Sequence, residues 1–127
     1  MEKYLIDNNV VSNYFSESYT EKGMTFIDDV IDQIPNISVI TEIKALSWIH
    51  KDKQKEKIVT QFVSESNILN ITPAIVMQCV NIRRQRKIKT PDAIIAATAI
   101  IHGLTLITND SDFYGVPGLL TIDPFSL

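Results

Sequence analysis

The chain has 127 residues, 45% hydrophobic and 21% charged, with a formal net charge of −3. This is the composition of an ordinary folded domain, large enough to bury about two-thirds of its unfolded surface, and it excludes disorder and low-complexity architecture. The negative balance excludes blanket electrostatic adhesion to nucleic acid, but leaves room for a local basic patch or for an acidic pocket whose charge a metal reverses.

"KYLID" near the start reads as a short buried strand, and "NNVVSNYF" as the beginning of a helix capped by asparagine. From Thr20 to Ile34 the apolar residues Met24, Phe26, Ile27, Val30, Ile31 and Ile34 recur at helical spacing, and Pro35 and Asn36 stop the run. "ISVI" is the second strand, and Thr41 after it is suited to cap a helix through Trp48. "DKQKEKIVTQFVSES" is an amphipathic helix with a charged first half, and "NILNIT" a further strand.

Pro73 opens the next helix, where its missing N–H does no harm, and the helix runs through "AIVMQCVNIRRQRK". In "TPDAIIAATAIIHG" the spacing makes Thr90 the cap, Pro91 the first helical residue and Gly103 the terminator. "LTLIT" and "LLTID" are the last two strands. Strands alternate with helices throughout, so the expected fold is α/β, one domain over residues 1–127, with a short, mostly parallel central sheet between helical layers.

The single cysteine, Cys79, excludes an intramolecular disulfide and a Cys-rich zinc site, and reads as a small buried hydrophobe. No signal-peptide-like apolar region opens the chain, and the longest apolar run, Ala93 to Ile101, is about half of what a membrane span needs. No membrane association and a cytoplasmic location are the expectations.

The distinctive pattern lies in the acids. "YLI" ends in Asp7, "ISVI" leads to Glu42, and "LTLIT" leads through Asn109 to Asp110 and Asp112. Asp92 falls in the first turn of the helix that follows a basic segment. Each has an ordinary explanation in a turn or at a helix N-terminus, where the macrodipole favours an acid. Parallel strands, however, carry their carboxyl ends to one edge, where ligands bind in open α/β sheets. Crowded carboxylates repel and raise each other's pKa. A hard divalent cation relieves that repulsion: Mg²⁺ takes oxygen ligands, and a pair of ions can clamp a phosphodiester displacement. No His pair has zinc spacing, since His50 and His102 are isolated.

On "YLIDNNVVSNYF", "ISVITEIKAL", "KTPDAIIAATAI" and "LTLITNDSDF", in that order through almost the whole chain, the sequence resembles the PIN-domain ribonucleases. Within them it resembles the VapC-like toxins of bacterial type II toxin–antitoxin pairs. The resemblance implies an α/β/α sandwich that cleaves RNA with Mg²⁺ or Mn²⁺. It also implies a homodimer, and inhibition by a cognate antitoxin whose tail covers the acidic groove. It makes Asp7, Glu42, Asp92 and Asp110 the catalytic acids, and Asp7, Asp92, Asp110 and Asp112 the metal ligands. Asn9 and Thr108 become supporting polar residues. Asn8 departs from the Thr or Ser that relatives often carry there.

Arg83, Arg84, Arg86, Lys87 and Lys89, just before Asp92, form a candidate patch for RNA phosphates, or the solvated face of a helix whose Ala74, Ile75, Cys79 and Ile82 face the core. "KDKQKEK" reads as plain helix surface, and Phe15, Phe26, Trp48 and Phe62 as core or dimer contacts. Two rival functions stay open. A haloacid-dehalogenase-like phosphotransferase also starts from an Asp after the first strand, but needs an Asp where this chain has Asn9. A noncatalytic module would use the same fold to bind RNA or protein.

Overall fold

Every strand in the chain is short, and its few residues are divided between two cores by the alternation of side chains along extended backbone. The computed structural model describes residues 3–127; Met1 and Glu2, part of the single domain expected over 1–127, lie outside the described residues. Five parallel strands form one sheet: β1 (Tyr4–Ile6), β2 (Asn36–Ser38), β3 (Asn67–Leu69), β4 (Thr105–Ile107) and β5 (Thr121–Ile122), in the order β3-β2-β1-β4-β5.

Leu5 and Leu106 point to one face, where they join Ile75, Cys79 and Ile82 of α5 (Pro73–Gln85) and Ala93, Ile95, Ala96 and Ala99 of α6 (Thr90–His102). Ile6, Ile37 and Ile107 point to the other. There they meet Val10 and Val11 of α1 (Asn8–Phe15), Ile27 and Val30 of α2 (Glu21–Asp32), Ala45 of α3 (Val39–Leu46) and Phe62 and Val63 of α4 (Lys53–Glu65). The expected α/β/α sandwich is therefore the observed one, and the sheet is parallel at every pairing. No described helix is long and apolar enough to cross a membrane.

Several element ends differ from the sequence reading. α1 is capped by Asp7 rather than by asparagine, its side chain accepting from the N–H of Asn8. α2 ends at Asp32, and Ile34 turns to φ 40°. The second strand stops at Ser38, and Val39 and Ile40 already belong to α3. Ser38, not Thr41, is the cap: its hydroxyl accepts from the N–H of Thr41, and that bond outweighs the strand preference of two β-branched residues. α3 closes at Leu46 instead of reaching Trp48.

α5 stops at Gln85, and Ala74 is exposed while Ile75, Cys79 and Ile82 are buried. Lys89 occupies the cap position of α6 without a side-chain bond, which makes Thr90 the first helical residue. Gly103 ends α6 in the left-handed conformation, as its position implied.

The order β3-β2-β1-β4-β5 places the reversal of strand order between β1 and β4. Ligands of open α/β sheets bind outside the carboxyl ends of the strands at such a point.

Candidate active site

Asp7 leaves the sheet at the end of β1, its backbone N–H donating to the Ile107 carbonyl of β4 at 3.0 Å. Its side chain is only 5% exposed and is bonded on both oxygens. Oδ1 accepts from the N–H of Asn8 at 2.8 Å, and Oδ2 accepts from the hydroxyl of Thr108 at 2.8 Å. Thr108 Oγ1 in turn accepts from the N–H of Asp110 at 3.1 Å. One hydroxyl thus ties the first acid of the chain to the loop that carries the last ones. Asp110 then caps a short 3₁₀ turn, Ser111–Phe113, its Oδ1 accepting from the N–H of Asp112 at 2.9 Å.

Asp92 comes to this loop from the first turn of α6, where the helix dipole favours a carboxylate. Asp92, Asp110 and Asp112 each place a carboxylate oxygen within 4.8 Å of the other two. Asp7 lies behind this triplet, linked to it by charge. Burial pushes its carboxyl above the ordinary value; the bonds from Thr108 and Asn8 and the charge of Lys44 work against that, and Asp92 adds to it. The Asp92 carboxyl is raised as well, by burial first, with Lys44 opposing and Asp110 and Asp112 reinforcing.

Glu42 is half-buried in the first turn of α3 and stands outside the triplet. The α3 side chain that approaches the acids is Lys44, its Nζ 3.9 Å from Asp92 Oδ1. Residues i and i+2 of a helix are not neighbours on one face, so Glu42 and Lys44 leave α3 in different directions. The sequence reading missed Lys44. Its signal was present in "ITEIKAL", but nothing in the sequence says which side of α3 meets Asp92.

Three more residues were missed. Asn109 Oδ1 accepts from Asn13 Nδ2 at 3.1 Å and from the Tyr19 hydroxyl at 3.2 Å, so α1 and the segment after it hold the acidic loop from behind. Burial, reinforced by the charges of Asp123 and Asp7 against a lowering contact from Asn13, pushes the Tyr19 phenol up to about 12. It is a neutral hydroxyl donor at any ordinary pH.

Of the two supporting polar residues, Thr108 is hydrogen-bonded to both Asp7 and the Asp110 N–H, and Asn9 follows Asp7 by two residues in α1. Thr108 is fully buried, and Asn9 Oδ1 is buried without a hydrogen-bond partner. The triplet's donors are all carboxylate oxygens, which suits a hard divalent cation.

The basic segment divides. Arg83 Nε donates to the Ile88 carbonyl at 3.3 Å and Arg86 Nη1 to the Tyr114 carbonyl at 3.1 Å, so both guanidinium groups brace backbone. Arg84, Lys87 and Lys89 are exposed, and the charge of Lys89 reaches Asp92.

A family model described as PIN domain matches residues 4–119. A toxin–antitoxin complex from Klebsiella pneumoniae contains a chain 32% identical, with a TM-score of 0.73, covering 96% of this chain and 98% of that one. FitAcB from Neisseria gonorrhoeae is 22% identical with a TM-score of 0.79, over 98% and 99% of the two chains. VapBC2 from Rickettsia felis, bound to a promoter DNA fragment, is 19% identical with a TM-score of 0.77, over 94% and 97%. These last two likenesses are of fold alone. No curated protein matches.

Proposed function

The chain belongs to the PIN-domain family, and from the acids at its sheet edge we propose that it is a metal-dependent endoribonuclease and the toxin of a toxin–antitoxin pair. The observation that carries the reading is the approach of Asp92, Asp110 and Asp112 to within 4.8 Å at the strand-order reversal. Those three residues would hold Mg²⁺ or Mn²⁺, with Asp7 tied to their loop through Thr108. Such an ion, when bound, activates water and polarises a phosphodiester.

The protein's own part is positional. Asp7 holds the Thr108 hydroxyl, Thr108 holds the Asp110 N–H, and Asp110 holds the Asp112 N–H, so the acidic loop is set before substrate arrives. Asp7, desolvated yet fully hydrogen-bonded, supplies negative charge at the floor without competing for water. Arg84, Lys87 and Lys89, exposed ahead of Asp92, would meet RNA phosphates and position the strand without reading sequence. Glu42 has no place in this holding set. A homodimer and a cognate antitoxin belong to the same proposal. Support for the antitoxin comes from the toxin–antitoxin complex from Klebsiella pneumoniae.

The test is to incubate the protein with total RNA, with Mn²⁺ or with chelator, and to map the cut ends. Cleavage in Mn²⁺ that chelator stops and Asp92→Asn or Asp110→Asn abolishes is expected; cleavage unchanged in either variant overturns the assignment. Growth arrest on expression, relieved by the neighbouring gene product, is expected of a toxin. One observation favours a second reading, a noncatalytic binding module: Lys44 beside Asp92 is a built-in cation where a metal would sit. Calorimetry that detects no Mn²⁺ binding selects that rival.

A further inference from the structure

Lys44 does more than face the acids. The same side chain lines a hollow of about 350 Å³ between α1, α3 and α4, floored by Val11 and Val59, with Asn8, Ser12 and Trp48 on its walls. That volume is at the lower end of sites for small ligands, about 300–1,000 Å³. Asn8 directly follows Asp7, so the hollow opens beside the acidic edge, and Lys44 belongs to both.

We propose that this hollow is the seat of the nucleotide adjoining the phosphodiester held at the acids. Lys44 grips the phosphate between them and Trp48 offers a face to the base. The proposal rests on the nuclease reading and adds the substrate contacts that reading lacks.

Lys44 is free for such a role. At 3.9 Å from Asp92 its ammonium is paired by charge but not hydrogen-bonded, and its side chain is 42% exposed. Trp48 is 38% exposed, and its ring leans on His50 at a centroid distance of 4.9 Å. The loop beneath it is tied down: Glu56 Oε2 accepts from the His50 N–H at 2.6 Å, and His50 Nδ1 accepts from the Asp52 N–H at 2.9 Å. A braced, half-exposed indole is what base stacking needs, since little freedom is lost on contact. The Asn8 amide adds a donor and an acceptor for a base edge. Charge selects RNA over a protein segment here, because the one cation in the hollow sits where a phosphate would leave the acidic edge.

The chain has a single tryptophan, Trp48, so tryptophan emission reports on this side chain alone, and Lys44→Ala tells the hollow it shares with Lys44 from the smaller one it shares with Phe15 and Lys55. A short single-stranded oligoribonucleotide is titrated in chelator, following Trp48 emission; binding of the same RNA, fluorescein-labelled, is followed by anisotropy for wild type, Lys44→Ala, Trp48→Ala and Trp48→Tyr. Saturable quenching is expected. Lys44→Ala is expected to weaken binding about tenfold, as loss of one charge-assisted contact to phosphate implies. Trp48→Ala weakens it and Trp48→Tyr restores it, which separates stacking from a folding defect. The seat is overturned if RNA fails to bind, if it binds without changing Trp48 emission, if Lys44→Ala binds as tightly as wild type, or if only a partner protein moves the emission. Cleavage in Mn²⁺ is scored separately, so cutting without quenching removes the seat and keeps the nuclease, whereas quenching without cutting does the reverse.

Discussion

Asp7 and Asp92 hold their protons more tightly in the folded chain than free carboxyls of ordinary value 3.8, because burial penalises their charge. For an acid shifted in this direction, the favourable contribution to stability is complete below 3.8 and is lost as pH rises through the folded value. Stability measured by urea unfolding is therefore expected to carry a component that falls from about pH 4 towards neutrality, where carboxylates of ordinary pKa have already ionised. Asp92→Asn removes part of that component, so its advantage over wild type grows with pH. Mn²⁺ is expected to raise the unfolding midpoint of wild type at neutral pH and to leave that of Asp92→Asn unmoved, since only the folded wild type offers the full set of oxygens. Equal responses of the two proteins would remove the acids from the metal site. Lys44 makes the opposite contribution. A cation about 4 Å from a carboxylate is worth roughly 1 kcal/mol in a water-like medium. Lys44→Ala is thus expected to tighten Mn²⁺ binding about fivefold by calorimetry while weakening RNA.

α3 shows how one cap controls what a helix presents. Ser38 is fully buried, accepts from the Thr41 N–H at 3.1 Å and donates to the Thr41 hydroxyl at 3.3 Å. Ser38→Ala is expected to cost about 2 kcal/mol in urea unfolding, the upper end for a cap, since it strands a buried N–H. A cost near zero would show that Thr41 takes over. α2 makes a contrasting case at Gly23. Alanine in a helix interior is ordinarily worth about 1 kcal/mol over glycine. Here a Cβ would stand 2.7 Å from the Pro124 carbonyl oxygen and 3.0 Å from Tyr19 Cβ, so the sign reverses. Gly23→Ala is expected to destabilise by about 1–3 kcal/mol, with the C-terminal turn displaced from α2. The elements themselves were legible in the sequence. Runs such as "YLI" and "TLI" between Pro, Gly and Asn mark strands, and Pro73 and Gly103 mark helix ends by backbone chemistry alone. What was not legible is phase. Val39 and Ile40 suit a strand as well as a helix, and only the buried Ser38 hydroxyl decides between them. Nor does the sequence say which side of α3 meets α6, where the Lys44 ammonium stands beside Asp92. Asp92, Asp110 and Asp112 are each placed by a strand end or a helix start, so their approach was legible.

At the scale of the whole molecule the acids occupy one edge, and α5 leaves a separate apolar face uncovered. Ile71, Val76, Met77 and Val80 are all exposed there, and Ile71, Val76 and Val80 line an open hollow of about 630 Å³ that Arg83 and Arg84 also border. A contiguous exposed apolar patch rimmed by charge marks an interface, and no element among the described residues covers this one. A two-fold axis across α5 would satisfy it with a second copy: a self-complementary contact would set the apolar first halves together, and an antiparallel crossing would keep the basic ends of the two helices apart. The acidic edge lies at the carboxyl ends of the strands, so pairing through α5 leaves the acidic triplet intact in each copy. The chain is therefore expected to sediment as a dimer. Met77, 60% exposed, is the most exposed of these four apolar side chains. Met77→Lys is expected to leave the unfolding midpoint measured at low protein concentration unchanged and to shift sedimentation to the monomer, by placing two ammonium groups against each other across the axis. A Met77→Lys protein that still sediments as a dimer would move the interface away from α5. A wild-type chain that is monomeric at high concentration would leave this face to a partner of another kind.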